Sequence, residues 1–146
     1  MKIKQLLALL LLMITICVPV FSAYGLERSL PENDLILPQY VVARSIYPTI
    51  VIENGKVVGT TTVIVRQNCR IVFDLDIQKS SNNVNWSTCL NSPAVSVTTS
   101  TLHQETCEYE SLQSKNYYRL KANIKIYVND ILKDSDTLYT ESVYYS

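Results

Sequence analysis

From Tyr40 onward the hydrophobic positions recur with a period of two, and β-branched and aromatic residues dominate. This is the pattern of strands with one buried and one wet face, not of amphipathic helices. The strongest alternation runs from Tyr118 to Val128. Tyr118, Leu120, Ala122, Ile124, Ile126 and Val128 share one face, and Arg119, Lys121, Asn123, Lys125 and Tyr127 share the other. Arg70 to Lys79 alternates in the same way, with Phe73, Leu75 and Ile77 on one side and Asp74, Asp76 and Gln78 on the other. Ser45 to Glu53 and Val57 to Val65 are two further strands. They are joined by Asn54-Gly55, a hairpin signal because both residue types tolerate positive φ. Pro48 has no amide donor and places the first strand at a sheet edge. Trp86 to Leu90, Ala94 to Thr101 continued by His103 to Tyr109, and Thr137 to Tyr145 complete the set. Polar turns separate them at Gln67-Asn68, Ser80 to Asn85 and Asn129-Asp130.

Seven or so short strands over about 107 residues, with no amphipathic helical window, predict an all-β antiparallel sandwich. A small β-barrel is the alternative. Tyr118 opens the penultimate long strand, where immunoglobulin-like folds place a tyrosine whose hydroxyl bonds back to the preceding corner. An immunoglobulin-like or fibronectin-III-like sandwich is therefore expected, with Trp86 packed in the core beside Phe73 and Leu75. The Cys…Trp…Cys order of antibody domains is not met, because Cys69 and Trp86 lie too close together.

The N-terminal segment follows a different rule. Lys2 and Lys4 precede a nearly continuous apolar stretch from Leu6 to Phe21, and Ala23-Tyr24-Gly25 follows. A basic start, a short apolar stretch and a small-x-small site make a secretory signal peptide over residues 1–25, cleaved after Gly25 or after Ala23. A membrane anchor needs about 20 apolar residues, and this stretch is shorter and interrupted by Pro19. Lipid attachment at Cys17 would need a small residue before it, where Ile16 stands. Leu30-Pro31-Glu32-Asn33 faintly matches a wall-sorting motif but lacks its Thr-Gly. Residues 26–39, with Pro31 and Pro38, read as an extended leader to a β domain at residues 40–146. The expected product is secreted, with no stable membrane insertion after cleavage.

Composition changes meaning once the leader is removed. The whole chain has 13 basic and 13 acidic residues, whereas residues 26–146 keep 11 basic and 13 acidic, a net charge of −2. Binding to nucleic acid through phosphate neutralisation is then disfavoured. Three Gly leave no glycine-rich phosphate loop, and no cofactor is implied.

The remaining cysteines are Cys69, Cys89 and Cys107. Export permits a disulfide, and an odd count allows one bridge among the three with one thiol left over. Adding His103, the only histidine, makes a three-Cys, one-His zinc set in residue type, but the intervals of 20, 14 and 4 residues contain no C-x-x-C pair. Cys107 and His103 as a nucleophile–base pair is a further option, opposed by their reading as two strand residues. Asp130, Asp134 and Asp136, with Glu141 beyond, offer hard oxygens for calcium, although the spacing fits no calcium loop and aspartate is an ordinary turn former. Asp74 and Asp76 are neighbours on one strand face, as an acid–base pair or as a solvated face. Asn85-Trp86-Ser87 is a glycosylation acceptor in a eukaryotic host. Ten tyrosines are an excess, and Tyr117 and Tyr127 point outward if Tyr118 points inward. Such rings stack on sugars or peptide groups at interfaces, and they are also good strand residues.

Several segments together resemble a known type. Ile71 to Lys79 followed by Trp86-Ser87-Thr88, the strand Tyr118-Arg119-Leu120-Lys121-Ala122, and the closing Glu141-Ser142-Val143-Tyr144-Tyr145-Ser146 are similar to motifs of an uncharacterised family of small secreted β-sandwich proteins of clostridial Firmicutes. The resemblance covers residues 40–146, and Cys69 departs from it. It implies an exported bacterial β-sandwich and supplies no catalytic residues. The functional expectation is a non-enzymatic exported protein that binds a protein or glycan partner, with Tyr117 and Tyr127 as candidate binding residues. The alternatives are an assembly subunit joined through an edge strand or the odd cysteine, and a small secreted hydrolase.

Overall fold

The computed structural model describes residues 39–146, so the signal peptide expected at residues 1–25 and nearly all of the expected leader lie outside the described residues. Nine strands form and no helix is present among the described residues. They are β1 (Ala43–Glu53), β2 (Lys56–Val65), β3 (Cys69–Ser80), β4 (Ser87–Asn91), β5 (Val95–Thr99), β6 (Leu102–Tyr109), β7 (Asn116–Val128), β8 (Ile131–Tyr139) and β9 (Val143–Tyr145).

The strands make two antiparallel sheets. The smaller has the order β1-β2-β6, and the larger has the order β4-β3-β7-β8. In the larger sheet β5 bonds to β3 beyond the end of β4, and β9 bonds to β7 beyond the end of β8. A sheet of the first, second and sixth strands facing a larger sheet centred on β3 and β7 makes a two-layer antiparallel β-sandwich. Between the sheets lie Val57, Val63 and Cys107 from the smaller one, and Ile71, Phe73, Leu75, Ile77, Tyr118, Leu120, Ile124 and Ile126 from the larger. Tyr118 is fully buried. Its hydroxyl accepts from the Gln113 amide at 2.8 Å and donates to the Gln113 carbonyl at 3.3 Å. The corner expected from the sequence is formed.

Turn chemistry sets the two tight hairpins. Asn54 and Gly55 join β1 to β2 with φ of 50° and 74°, and Asn129 and Asp130 join β7 to β8 with φ of 50° and 61°. Both pairs have the positive φ at two central positions that matches the twist of the flanking strands. β1 lies at the edge of its sheet, as Pro48 requires.

The strand count exceeds seven for two physical reasons. First, the alternation from Ala94 to Tyr109 is continuous, but the chain changes sheets within it. β5 bonds to β3, β6 bonds to β2, and Ser100 and Thr101 cross between them. The Val65 amide fixes the crossing through the Thr101 carbonyl at 2.8 Å. Periodicity reports which way a side chain faces, not which sheet holds its backbone. Second, the start of β8 is inverted: Ile131 and Leu132 are 59% and 49% exposed, whereas Asp134 and Asp136 face inward. The strand expected over Thr137 to Tyr145 is therefore two: β8 begins at Ile131 and stops at Tyr139, and β9 covers Val143–Tyr145. Thr140 then bridges to Leu120, donating its amide to the Leu120 carbonyl at 3.0 Å and accepting the Leu120 amide on Oγ1 at 2.9 Å.

Trp86 is not in the core. The turn after β3 carries it over the sheet edge to the outer face, where it packs against Arg119. Phe73 instead packs against His103, with ring centroids 5.4 Å apart.

Candidate functional site: the outer face of the larger sheet

Strand parity places the even-numbered residues of β3 and the odd-numbered residues of β7 and β8 on the outer face of the larger sheet. The register joins them in cross-strand rows: Gln78 with Arg119, Asp76 with Lys121 and Tyr139, Asp74 with Asn123 and Thr137, Val72 with Lys125 and Ser135, and Arg70 with Tyr127. β9 adds Tyr144 opposite Tyr117. Both residues expected to bind, Tyr117 and Tyr127, lie on this face, separated by ten strand positions, about 34 Å.

Each row is internally bonded. The guanidinium of Arg119 lies between Trp86 and Tyr139, 4.3 Å and 4.4 Å from their ring centres, and its Nε donates to Gln78 at 2.9 Å. The aromatic faces stabilise the cation, and the amide holds its plane. Tyr117 packs against Tyr144 at 4.8 Å between centroids, and Arg70 caps Tyr127 at 4.2 Å while pairing with Asp130 at 3.1 Å. Asp76, 5% exposed, accepts from Asn91 at 2.6 Å and pairs with Lys121 at 3.3 Å. Asp74 accepts from Asn123 at 3.1 Å, and Asn123 accepts from Thr137 at 2.9 Å. Asp74 and Asp76 thus belong to separate rows with separate partners. Between the rows of Asp74 and Val72 a groove of about 410 Å³ opens toward Ala94, at the break between β4 and β5.

The other candidates are dispersed by the fold. All three cysteines are free thiols, so the single bridge allowed by the count is not made. Cys69 and Cys107 are buried at the start of β3 and near the end of β6. Cys89 is the extra residue of a bulge in β4 and donates to the Ile77 carbonyl at 3.3 Å. Burial pushes all three thiols up, Cys107 to about 11, with the Asp76 and Glu105 carboxylates adding to the effect at Cys107. Such thiols are poor nucleophiles. His103 and Cys107 lie four positions apart on β6, about 13 Å along the strand, so they form no nucleophile–base pair. His103 meets Glu105 at 3.4 Å instead.

Asp130, Asp134 and Asp136 do not converge on a common point. Asp130 sits on the hairpin turn facing Arg70, whereas Asp134 accepts the amides of Val41, Val42 and Ala43 at 2.7, 2.7 and 2.9 Å. Asp136 accepts the hydroxyl of Tyr40, whose pKa is driven well up by burial first and then by this hydrogen bond. Among the described residues no group of three or more His, Cys, Asp or Glu is placed to hold a metal ion. No helix of the described residues is long and apolar enough to cross a membrane.

Sequence parity pointed to Tyr117 and Tyr127 but missed Trp86, Tyr139 and Tyr144. Tyr139 and Tyr144 become legible only once the β7 pairings with β8 and β9 are known. Trp86 lies in a turn, where alternation carries no information. No protein-family model matches the chain, and no curated protein matches it.

Proposed function

We propose that the chain is an exported, non-enzymatic binding protein whose partner, a protein or a glycan, docks on the outer face of the larger sheet. The observation that carries this reading is the concentration of aromatic rings there. Trp86, the only tryptophan, and Tyr117, Tyr127, Tyr139 and Tyr144 share one face with Arg70, Arg119 and Lys121. Rings already fixed by stacking lose little conformational freedom on binding, which is the property of an effective contact surface. Their arginine partners add charge without mobility.

Residues 26–146 used as bait against cell-wall glycans and surface proteins test the reading. Trp86→Ala and Tyr139→Ala are expected to weaken capture at least ten-fold, and Tyr117→Ala and Tyr127→Ala to weaken it less. Tyr47→Ala, on the opposite sheet, should leave it unchanged. Capture lost equally with Tyr47→Ala, or retained by all four outer-face variants with unchanged melting temperatures, contradicts the reading.

Assembly through an edge is the second reading, favoured by one observation. β1 is an eleven-residue edge strand that exposes Tyr47 and Val51 by 55% and 48%. Pro48 and the irregularity between Ala43 and Ser45 blunt that edge. The odd-cysteine route has less support, since Cys69 and Cys107 are buried.

A further inference from the structure

The polar row at the centre of the outer face has valences left open in a specific order. Thr137 Oγ1 donates to Asn123 Oδ1, and Asn123 Nδ2 donates to Asp74 Oδ2. The amide carbonyl is thereby occupied, while Asp74 and Thr137 line the groove and Asp74 Oδ1 takes no hydrogen bond among the described residues. One row away stands Lys125, opposite Val72 on one side and Ser135 on the other. Along β3 and β7 the other cations of this face are engaged: Arg70 with Asp130, Lys121 with Asp76, and Arg119 between two rings. Lys125 has no ion-pair partner among the described residues and lines the groove with Asp74, Ser135 and Thr137.

An occupant of this groove must donate to a carboxylate, accept from an ammonium and exchange hydrogen bonds with two hydroxyls within one row spacing. It must also rest an apolar surface on Val72 and Ala94. On the outer face the groove offers one carboxylate, Asp74, against one ammonium, Lys125, because the Asp136 carboxylate is turned inward to the Tyr40 hydroxyl. An anionic ligand would be repelled by Asp74, and a cationic ligand would be pushed back by Lys125. A neutral polyhydroxylated ring satisfies every requirement. Each of its hydroxyls both donates and accepts, a vicinal pair bridges Asp74 and Lys125, and its C–H face covers Val72 and Ala94.

We infer that the groove between β3, β7 and β8 is a binding site for a neutral hexose unit of a glycan, with Asp74, Lys125, Ser135 and Thr137 as its hydrogen-bonding contacts. The inference rests on the outer face being the ligand surface and narrows the partner to an uncharged saccharide. The tyrosines and Trp86 on either side along the strands then hold the neighbouring sugar units.

The test is an oligosaccharide array carrying neutral hexose, hexuronic acid and amino-sugar chains, probed with residues 26–146 and with Asp74→Asn, Lys125→Met and Tyr47→Ala. Binding to neutral chains is expected. Asp74→Asn and Lys125→Met should each weaken it at least ten-fold, with Tyr47→Ala unchanged. Binding confined to acidic or amino-sugar chains overturns the inference, and so does neutral binding indifferent to Asp74→Asn and Lys125→Met. In those cases the outer face survives as the ligand surface if Trp86→Ala still abolishes capture. Absence of saccharide binding beside a captured protein partner sensitive to Trp86→Ala likewise overturns only the groove assignment. Absence of all binding overturns both.

Discussion

Replacing Asp134 with alanine removes the acceptor that ties the start of the domain to β8. One carboxylate takes three consecutive amides, Val41 on one oxygen and Val42 and Ala43 on the other, at 2.7 to 2.9 Å. Val41 is 68% exposed, so its amide exchanges the lost bond for water, whereas Val42 and Ala43 are 1% and 0% exposed. Two buried donors are left without partners at about 1–3 kcal/mol each, giving a loss of about 2–6 kcal/mol. That is a large part of the ~5–15 kcal/mol that holds a domain of this size. Asp134→Asn keeps one oxygen for the two buried amides and turns its amino group toward Val41, so its loss should be about 1–3 kcal/mol. Urea unfolding followed by far-UV circular dichroism measures both. Hydrogen exchange at Val42 and Ala43 localises the effect, since protection there should collapse before that of Ile124. An Asp134→Ala chain within 0.5 kcal/mol of the parent (the usual scatter of surface changes), with Val42 still protected, refutes the reasoning.

Other outcomes follow from single packing or titration features. Gly59→Ala places a Cβ 2.9 Å from Leu120 Cδ1 and 3.4 Å from Cys107 Sγ, so a buried leucine must leave its rotamer; a loss of about 1–3 kcal/mol in urea unfolding is expected. Tyr118→Phe removes both hydroxyl bonds of the corner to an exposed Gln113 and should cost about 0.5–1.5 kcal/mol with no change in the far-UV spectrum. Stability should fall in alkali. The Cys107 thiol, raised by burial from its ordinary 9.0 to about 11, stays protonated in the fold where the unfolded chain has lost its proton. Its contribution is complete below pH 9.0 and is lost as pH rises through 11, and Cys107→Ala should flatten that part of the stability–pH curve. Native-state thiol labelling should reach Cys89, which is half-buried, before Cys69 and Cys107.

The centre of the larger sheet was legible because β7 obeys alternation without a break. From Tyr118 to Ile126 every second side chain is buried, and that parity alone assigned Tyr117 and Tyr127 to the outer face. Hairpins were legible where two positive-φ residues stood together, at Asn54-Gly55 and Asn129-Asp130. The failures have physical causes. Inward Asp134 and Asp136 gave the start of β8 the wrong apparent phase, because their burial is compensated by amides and a hydroxyl some 90 positions away in the chain. The β5–β6 crossing left the alternation intact. Trp86 was placed in the core on hydrophobicity alone, and a guanidinium on the outer face outcompeted that placement. The groove was not legible at all: its row of Asp74, Asn123 and Thr137 unites residues from three strands whose register no local pattern reveals.

The claim that the larger sheet carries the ligand surface is tested most directly by amide chemical-shift mapping of residues 26–146 titrated with the best binder from the glycan and surface-protein screens. Saturable shifts should cluster at Asp74, Asp76, Trp86, Arg119, Asn123, Lys125, Thr137 and Tyr139, with Tyr47, Thr60 and Thr106 on the smaller sheet unmoved. Shifts concentrated on Tyr47, Thr60 and Thr106, with the rows around Asn123 silent, would contradict it.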